Sequence, residues 1–117
     1  MAKIMTFDEF TCDGWKRLLG DREERKIGRN TWLVGMHNGG VAIVYHNTPI
    51  VEYAPDGGIY INFGGWGTVT TRQRMNACLP LRYTVYQLNY IQRAVTDMGD
   101  IEVDTHGVHC VQHPTAA

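Results

Sequence analysis

Between Thr31 and Phe63, apolar and polar positions alternate with a period of two, broken by short runs of turn residues. Trp32, Val34 and Met36 share one face of a first segment, and Asn38-Gly39 follows, a pair that tolerates positive φ. Val41, Ile43 and Tyr45 share a face of a second segment, which Asn47-Thr48-Pro49 ends. Ile50 to Ala54 reads as a third strand, Pro55-Asp56-Gly57-Gly58 as a turn, and Ile59, Ile61 and Phe63 as one face of a fourth. Short strands joined by tight turns predict an antiparallel meander with one face left to be covered.

The period then changes. After Gly64-Gly65-Trp66-Gly67, Thr71, Met75, Cys78 and Leu79 recur at helical spacing. Thr68 or Thr70 is placed to cap such a helix, and Pro80 to stop it. Upstream, Trp15, Leu18 and Leu19 predict one or two helical turns within residues 6–20, with Thr11 or Asp13 as cap and Gly20 as stop. Residues 21–30 are polar and charged and read as a solvated turn or a continuation of that helix. Tyr83 to Leu88 alternate like a strand, yet Leu81, Val85, Leu88, Ile91, Val95 and Met98 fit a helix stopping at Gly99, so a strand followed by a helical segment is expected over 82–98. Residues 101–103 and 108–111 read as a closing hairpin about Thr105-His106-Gly107.

The expected fold is therefore α+β: a small, mainly antiparallel β-meander of four to six strands with two or three short helices packed on it. A length of 117 residues fits one domain. It divides into a helical N-terminal segment (1–30), the meander with its motif helix (31–80), a strand/helix segment (81–112) and a tail (113–117). The open edges of such a sheet allow pairing across a homodimer.

Composition narrows the function classes. A net charge of −1 argues against a general DNA coat, which needs a broad basic excess. Lys16, Arg17, Arg22, Arg25, Lys26 and Arg29 crowd one stretch, interrupted by Asp21, Glu23 and Glu24; Asp97, Asp100, Glu102 and Asp104 crowd another. Cys12, Cys78 and Cys110 are odd in number and widely spaced, unlike a secreted disulfide scaffold. With no signal-peptide pattern and no run of the roughly 18 apolar residues a membrane span needs, the expectation is a cytoplasmic protein of the host cell, without a membrane partner.

Residues 26–80 resemble a family of small uncharacterised proteins of phages and their bacterial hosts. The matches are Lys26-Ile27, Asn30-Thr31-Trp32, His46-Asn47-Thr48, Pro55-Asp56-Gly57, and Gly65-Trp66-Gly67-Thr68-Val69-Thr70-Thr71 with Arg74, Asn76, Leu79 and Pro80. The last block, Gly-Gly-Trp-x-Thr-x-Thr-Thr-x-x-Arg-x-Asn, is the specific one. After Pro80 the chain departs from the pattern with a longer tail. The resemblance implies viral or mobile-element origin and brings no activity, cofactor or site residue.

The glycine-rich turn into a helix is the foremost candidate for chemistry. Free N–H groups and the positive end of a helix attract anions. Backbone near Gly65 and Gly67, hydroxyls of Thr70 and Thr71, and the guanidinium groups of Arg72 and Arg74 would hold a nucleotide or nucleic acid. The spacing is neither a P-loop nor a Rossmann fingerprint. A structural reading competes, in which Trp66 fills the core, the glycines make a bend and the threonines cap a helix. Tyr53 and Tyr60, if both outward, would stack on bases. Asp104, His106, His109, Cys110 and His113 are metal-competent types, but His-x-x-His on a strand splays its rings, so no metal is assigned. Cys78 lies on the apolar helix face, and nothing fixes Glu52 and Asp56 as an acid–base pair; catalytic residues and cofactors are expected to be none. The leading expectation is a non-enzymatic phage-encoded binding protein for an anionic ligand. The alternative is a protein–protein inhibitor or modulator of a host enzyme, acting through exposed aromatics and segment 97–104; a small enzyme is third.

Overall fold

The first helix, α1 (Cys12–Leu19), begins where Thr11 turns extended and its hydroxyl accepts from the Gly14 amide at 3.0 Å. It ends at Gly20, whose φ of +64° suits glycine. The computed structural model describes residues 10–114 of the chain. Trp15 and Leu19 point into the core, with the Trp15 ring 6.0 Å from Phe10 and 5.9 Å from Tyr53.

The charged segment after α1 is not a turn. It forms β1 (Glu24–Gly28), paired antiparallel with β2 (Thr31–Gly35). Its backbone ladder needs no apolar pattern, and charges on an edge strand discourage further pairing. The meander continues through β3 (Val41–Tyr45), β4 (Thr48–Tyr53) and β5 (Ile59–Asn62), with β4 beginning inside the expected Asn47-Thr48-Pro49 turn because Thr48 and Pro49 already pair with Tyr45 and Val44. Leu33, Ile43, Val51 and Ile61 stand side by side across four strands, and all are fully buried. On the opposite face Val34, Ala42, Glu52 and Tyr60 form the matching row. Pro49 sits where the β3–β4 register shifts, a place that tolerates a missing donor.

The helix after the glycine-rich turn, α2 (Val69–Cys78), is capped by Thr68, whose hydroxyl accepts from the Thr71 amide at 3.3 Å. Thr71, Met75 and Cys78 are buried as the spacing predicts, and Ala77 joins them. The Tyr53 hydroxyl donates to the Cys78 carbonyl at 2.7 Å, satisfying an end of the helix that has no partner within it. Both helices lie on the same face of the meander, α1 against β2 and β3, α2 against β3 and β4.

Residues 82–98 contain no helix. They form the hairpin β6 (Thr84–Leu88) and β7 (Ile91–Thr96) about Asn89 and Tyr90, both at positive φ. The helical spacing was coincidental: Leu81, Leu88, Ile91, Val95 and Met98 are exposed, whereas Val85, Gln92 and Ala94 are buried with period two. The expected closing hairpin is also absent. β8 (Gly99–Glu102) pairs with β7, while β9 (Val108–Gln112) pairs with β5, so the chain passes from one sheet to the other at residues 103–107. Among the described residues, nine strands form a six-stranded sheet (β1-β2-β3-β4-β5-β9) and a three-stranded one (β6-β7-β8), more than the four to six expected of an otherwise α+β fold.

Two polar clasps fasten the small sheet to the rest of the fold. The Asn76 carboxamide donates through Nδ2 to the Val85 carbonyl (3.0 Å) and accepts through Oδ1 from the Val85 amide (2.8 Å), tying α2 to β6. The Tyr83 hydroxyl lies among Arg82 Nη2 (3.0 Å), Asp97 and Gln112 Oε1 (2.7 Å), linking the small sheet to β9. The Arg82 guanidinium, then the Tyr83 hydroxyl, hold the Asp97 carboxyl below its ordinary range. Burial, then Asp97, push the Tyr83 phenol up to about 12.

Asn76→Ala strips both partners from Val85 and is expected to cost about 1–3 kcal/mol, read as a fall in denaturant midpoint at unchanged m-value. The second clasp sets a pH window. A raised phenol stabilises the fold below its unfolded value of about 10 and loses that contribution as pH climbs beyond it. For Tyr83 the loss runs up to about 12. A depressed carboxyl contributes above about pH 3.9 and fades below it. This acid limb is small, because Arg82 and Asp97 are 49% and 44% exposed. Melting temperature should fall above about pH 10, more gently in Tyr83→Phe than in the parent; equal slopes in the two proteins would remove the clasp from the explanation.

Candidate functional site

Phe63 to Trp66 make a tight turn in which Gly64 and Gly65 take φ of +61° and +88° and the Trp66 amide donates to the Phe63 carbonyl at 3.0 Å. Gly64 is doubly constrained, since a Cβ there would lie 2.5 Å from Cγ2 of Thr48. Of the amides expected to meet an anion, that of Gly65 is already engaged. Gly64 donates to Asn62 Oδ1 (2.9 Å) and Gly65 to the Thr105 carbonyl (2.7 Å). The Gly67 carbonyl accepts from Arg72 at 3.0 Å.

Arg72 is half-buried and reaches toward the small sheet. Its Nη1 also donates to Gln92 Oε1 (2.9 Å) and Gln87 Oε1 (3.2 Å), fastening the start of α2 to the β6–β7 hairpin. The Arg74 guanidinium lies 5.5 Å from the centre of the Tyr45 ring, a cation–π contact. Thr70 is exposed and Thr71 is buried; Thr68 bridges both, its hydroxyl 3.2 Å from that of Thr70 and 3.0 Å from that of Thr71.

Trp66 does not fill the core. It is 66% exposed and rims a groove of about 340 Å³ at the N-terminal end of α2. Buried Ile50 and Phe63 form part of the lining, with Tyr45, His46 and Thr48 from the β3–β4 turn and the hydroxyls of Thr68, Thr70 and Thr71. His46 and Asn47 both take positive φ, and the Tyr45 and His46 rings meet edge-on at 4.4 Å. Thr70, Thr71 and Arg74 from the expected set come to this groove or its margin, and Arg72 does not. Tyr45, His46, Thr48 and Trp66 were missed as site residues. Their only signals were an aromatic ending β3, an Asn-containing turn and a Trp after two glycines, none of which announces an open face.

The paired stacking platform is not formed. Tyr53 is 1% exposed, and it pairs with Ile59 while Tyr60 pairs with Glu52, so the two tyrosines point to opposite faces. Burial pushes the Tyr53 phenol up. Asp104 bonds to the His106 amide, His109 Nε2 lies 3.0 Å from the Asp104 carbonyl, and Cys110 Sγ lies 3.9 Å from His113 Nδ1. Among the described residues no three metal-competent side chains converge. Cys78 is fully buried, and Cys12, Cys78 and Cys110 are free thiols. Two acids of segment 97–104 are neutralised locally, Asp97 by Arg82 and Asp100 by Arg93. No helix among the described residues is long and apolar enough to cross a membrane.

No curated protein and no solved structure matches the chain. A family model described as Kyanoviridae Gp96 protein matches residues 17–111, well over half of the sequence, and takes in the meander, α2 and the crossing between the sheets. The chain belongs to this Kyanoviridae Gp96 family of phage proteins.

Proposed function

We propose that this phage protein is a non-enzymatic binding protein of the host cytoplasm that engages a nucleic acid or nucleotide in the groove at the start of α2. The observation that carries the reading is the exposed Trp66 beside the groove. An indole held open next to an apolar floor and three hydroxyls offers a ring face to a base and donors to its sugar and phosphate. The positive end of α2 and the Arg74 guanidinium behind Tyr45 add attraction for the phosphate. The lining holds one imidazole, His46, and no carboxylate or thiol, a poor set for acid–base or nucleophilic work. In this reading Thr70 and Thr71 are contacts, the Gly65 amide is taken up by Thr105, and Arg72 is a fastening between α2 and the β6–β7 hairpin.

A second reading, modulation of a host protein, is favoured by the β6–β7 tip, where Leu88, Tyr90 and Ile91 are 54%, 92% and 43% exposed. It would act through that tip and not through the groove.

Titrating the protein's tryptophan fluorescence with mononucleotides, single strands and duplexes at low and moderate salt tests the first reading. Quenching that weakens with salt is expected, with affinity about tenfold lower in Trp66→Ala. Absence of binding to all three at low salt would sink it. Arg72→Ala should act on the fold instead, costing about 1–3 kcal/mol through the partners it leaves at Gly67 and Gln92. A melting temperature equal to the parent's would return Arg72 to the list of ligand contacts.

A further inference from the structure

We infer, resting on the reading above, that the binding surface continues over the His46–Asn47 turn into a second groove at Trp32, and that the ligand is a single-stranded nucleic acid several nucleotides long. The second groove, about 420 Å³, includes Trp32, Val44, Asn30, Asn47 and His46. His46 lines both grooves. The alternation of β3 explains this. Tyr45 faces the helices, Val44 faces the open side next to Trp32, and the turn beyond them is the crest between the two.

The path therefore carries Trp66, then the Tyr45–His46 ring pair, then Trp32, which is 37% exposed. Ring faces spaced along a surface suit bases that are free to splay apart, as in a single strand; a duplex keeps its base faces stacked inside. A free nucleotide fills one groove and leaves the other bare. Asn30 and Asn47, both at positive φ, line the second groove and bring carboxamides able to meet base edges. Lys26 stands opposite Trp32 across the β1–β2 ladder, and with Arg29 it lies outside both ion pairs found among the described residues. Lys26 is thereby placed to meet a backbone phosphate on the Trp32 side. Glu24 also lines the second groove and repels an anion, so it marks the end of the path.

The test uses the full chain and thymidine oligomers of one, two, four and six nucleotides, with a duplex hexamer, measured by competition anisotropy at low salt. Affinity should rise about tenfold or more from the mononucleotide to the hexamer, with the duplex weaker than the single strand. In Trp32→Ala that gain should shrink to about twofold, and Trp32→Phe should keep most of it. Should Trp32→Ala fail to fold, Lys26→Gln, which changes an exposed side chain, should lower hexamer affinity and flatten its salt dependence. Equal affinities at every length, a preference for duplex, or a length gain that survives both Trp32→Ala and Lys26→Gln overturns the extended site and leaves the single groove standing. No binding at any length removes both.

Discussion

The carboxamide of Asn76 stands in for a residue of a neighbouring strand. It meets both the N–H and the C=O of Val85, as a β-partner would, but it reaches them from a helix. The three-stranded sheet needs this. Its own buried apolar set is little more than Val85 and Ala94 with Val103 just beyond, and so small a sheet is marginal alone. Anchored to α2, it can in turn hold the segments it touches. Val103 donates to the Gln92 carbonyl, Gln92 and Gln87 receive Arg72, and Thr105 receives the Gly65 amide. The turn that carries Trp66 is thus fixed from both sides, and an exposed indole keeps a defined position without being buried.

What the sequence made legible was whatever local chemistry decides. Asn-Gly and Asp-Gly turns, the Thr68 cap and the alternation of Ile59, Ile61 and Phe63 all resolve within a few residues. The failures occur where a neighbour decides. Residues 24–28 have no apolar period, and only the presence of β2 makes them a strand. Tyr90 is a poor sign of a turn, yet it takes φ of +67° beside Asn89, and the hairpin this creates buries Val85 and Ala94 where a helix would have sought Leu88 and Ile91. The turn at Asp104 to Gly107 was visible, but its two flanking strands belong to different sheets, which local pattern does not encode.

The site follows the same division. The block from Gly64 to Arg74 was recognisable as the specific part of the chain, and the groove does open beside it. Which groups face the groove was not readable. Amide exposure depends on Asn62 and Thr105, and the direction of Arg72 depends on Gln87 and Gln92, residues 15 and 20 positions away. The facing wall comes from β3 and β4, whose His46 turn reads as a connector until the fold sets it across from Trp66.

Gly64 and Thr48 illustrate how tightly that wall is drawn. The turn lies so close to the start of β4 that the methyl of Thr48 occupies the space a side chain at 64 would need, while the positive φ at 64 restricts its occupant independently. The two positions therefore form a single unit for the purposes of sequence change. Asn at 64, the residue next best suited to that backbone, would press its Cβ on the Thr48 side chain, and trimming 48 to Ala or Gly to relieve it would widen the groove beside Phe63. In this chain the shape of the groove can therefore be altered through position 48 while the path of the turn at 64 stays where it is.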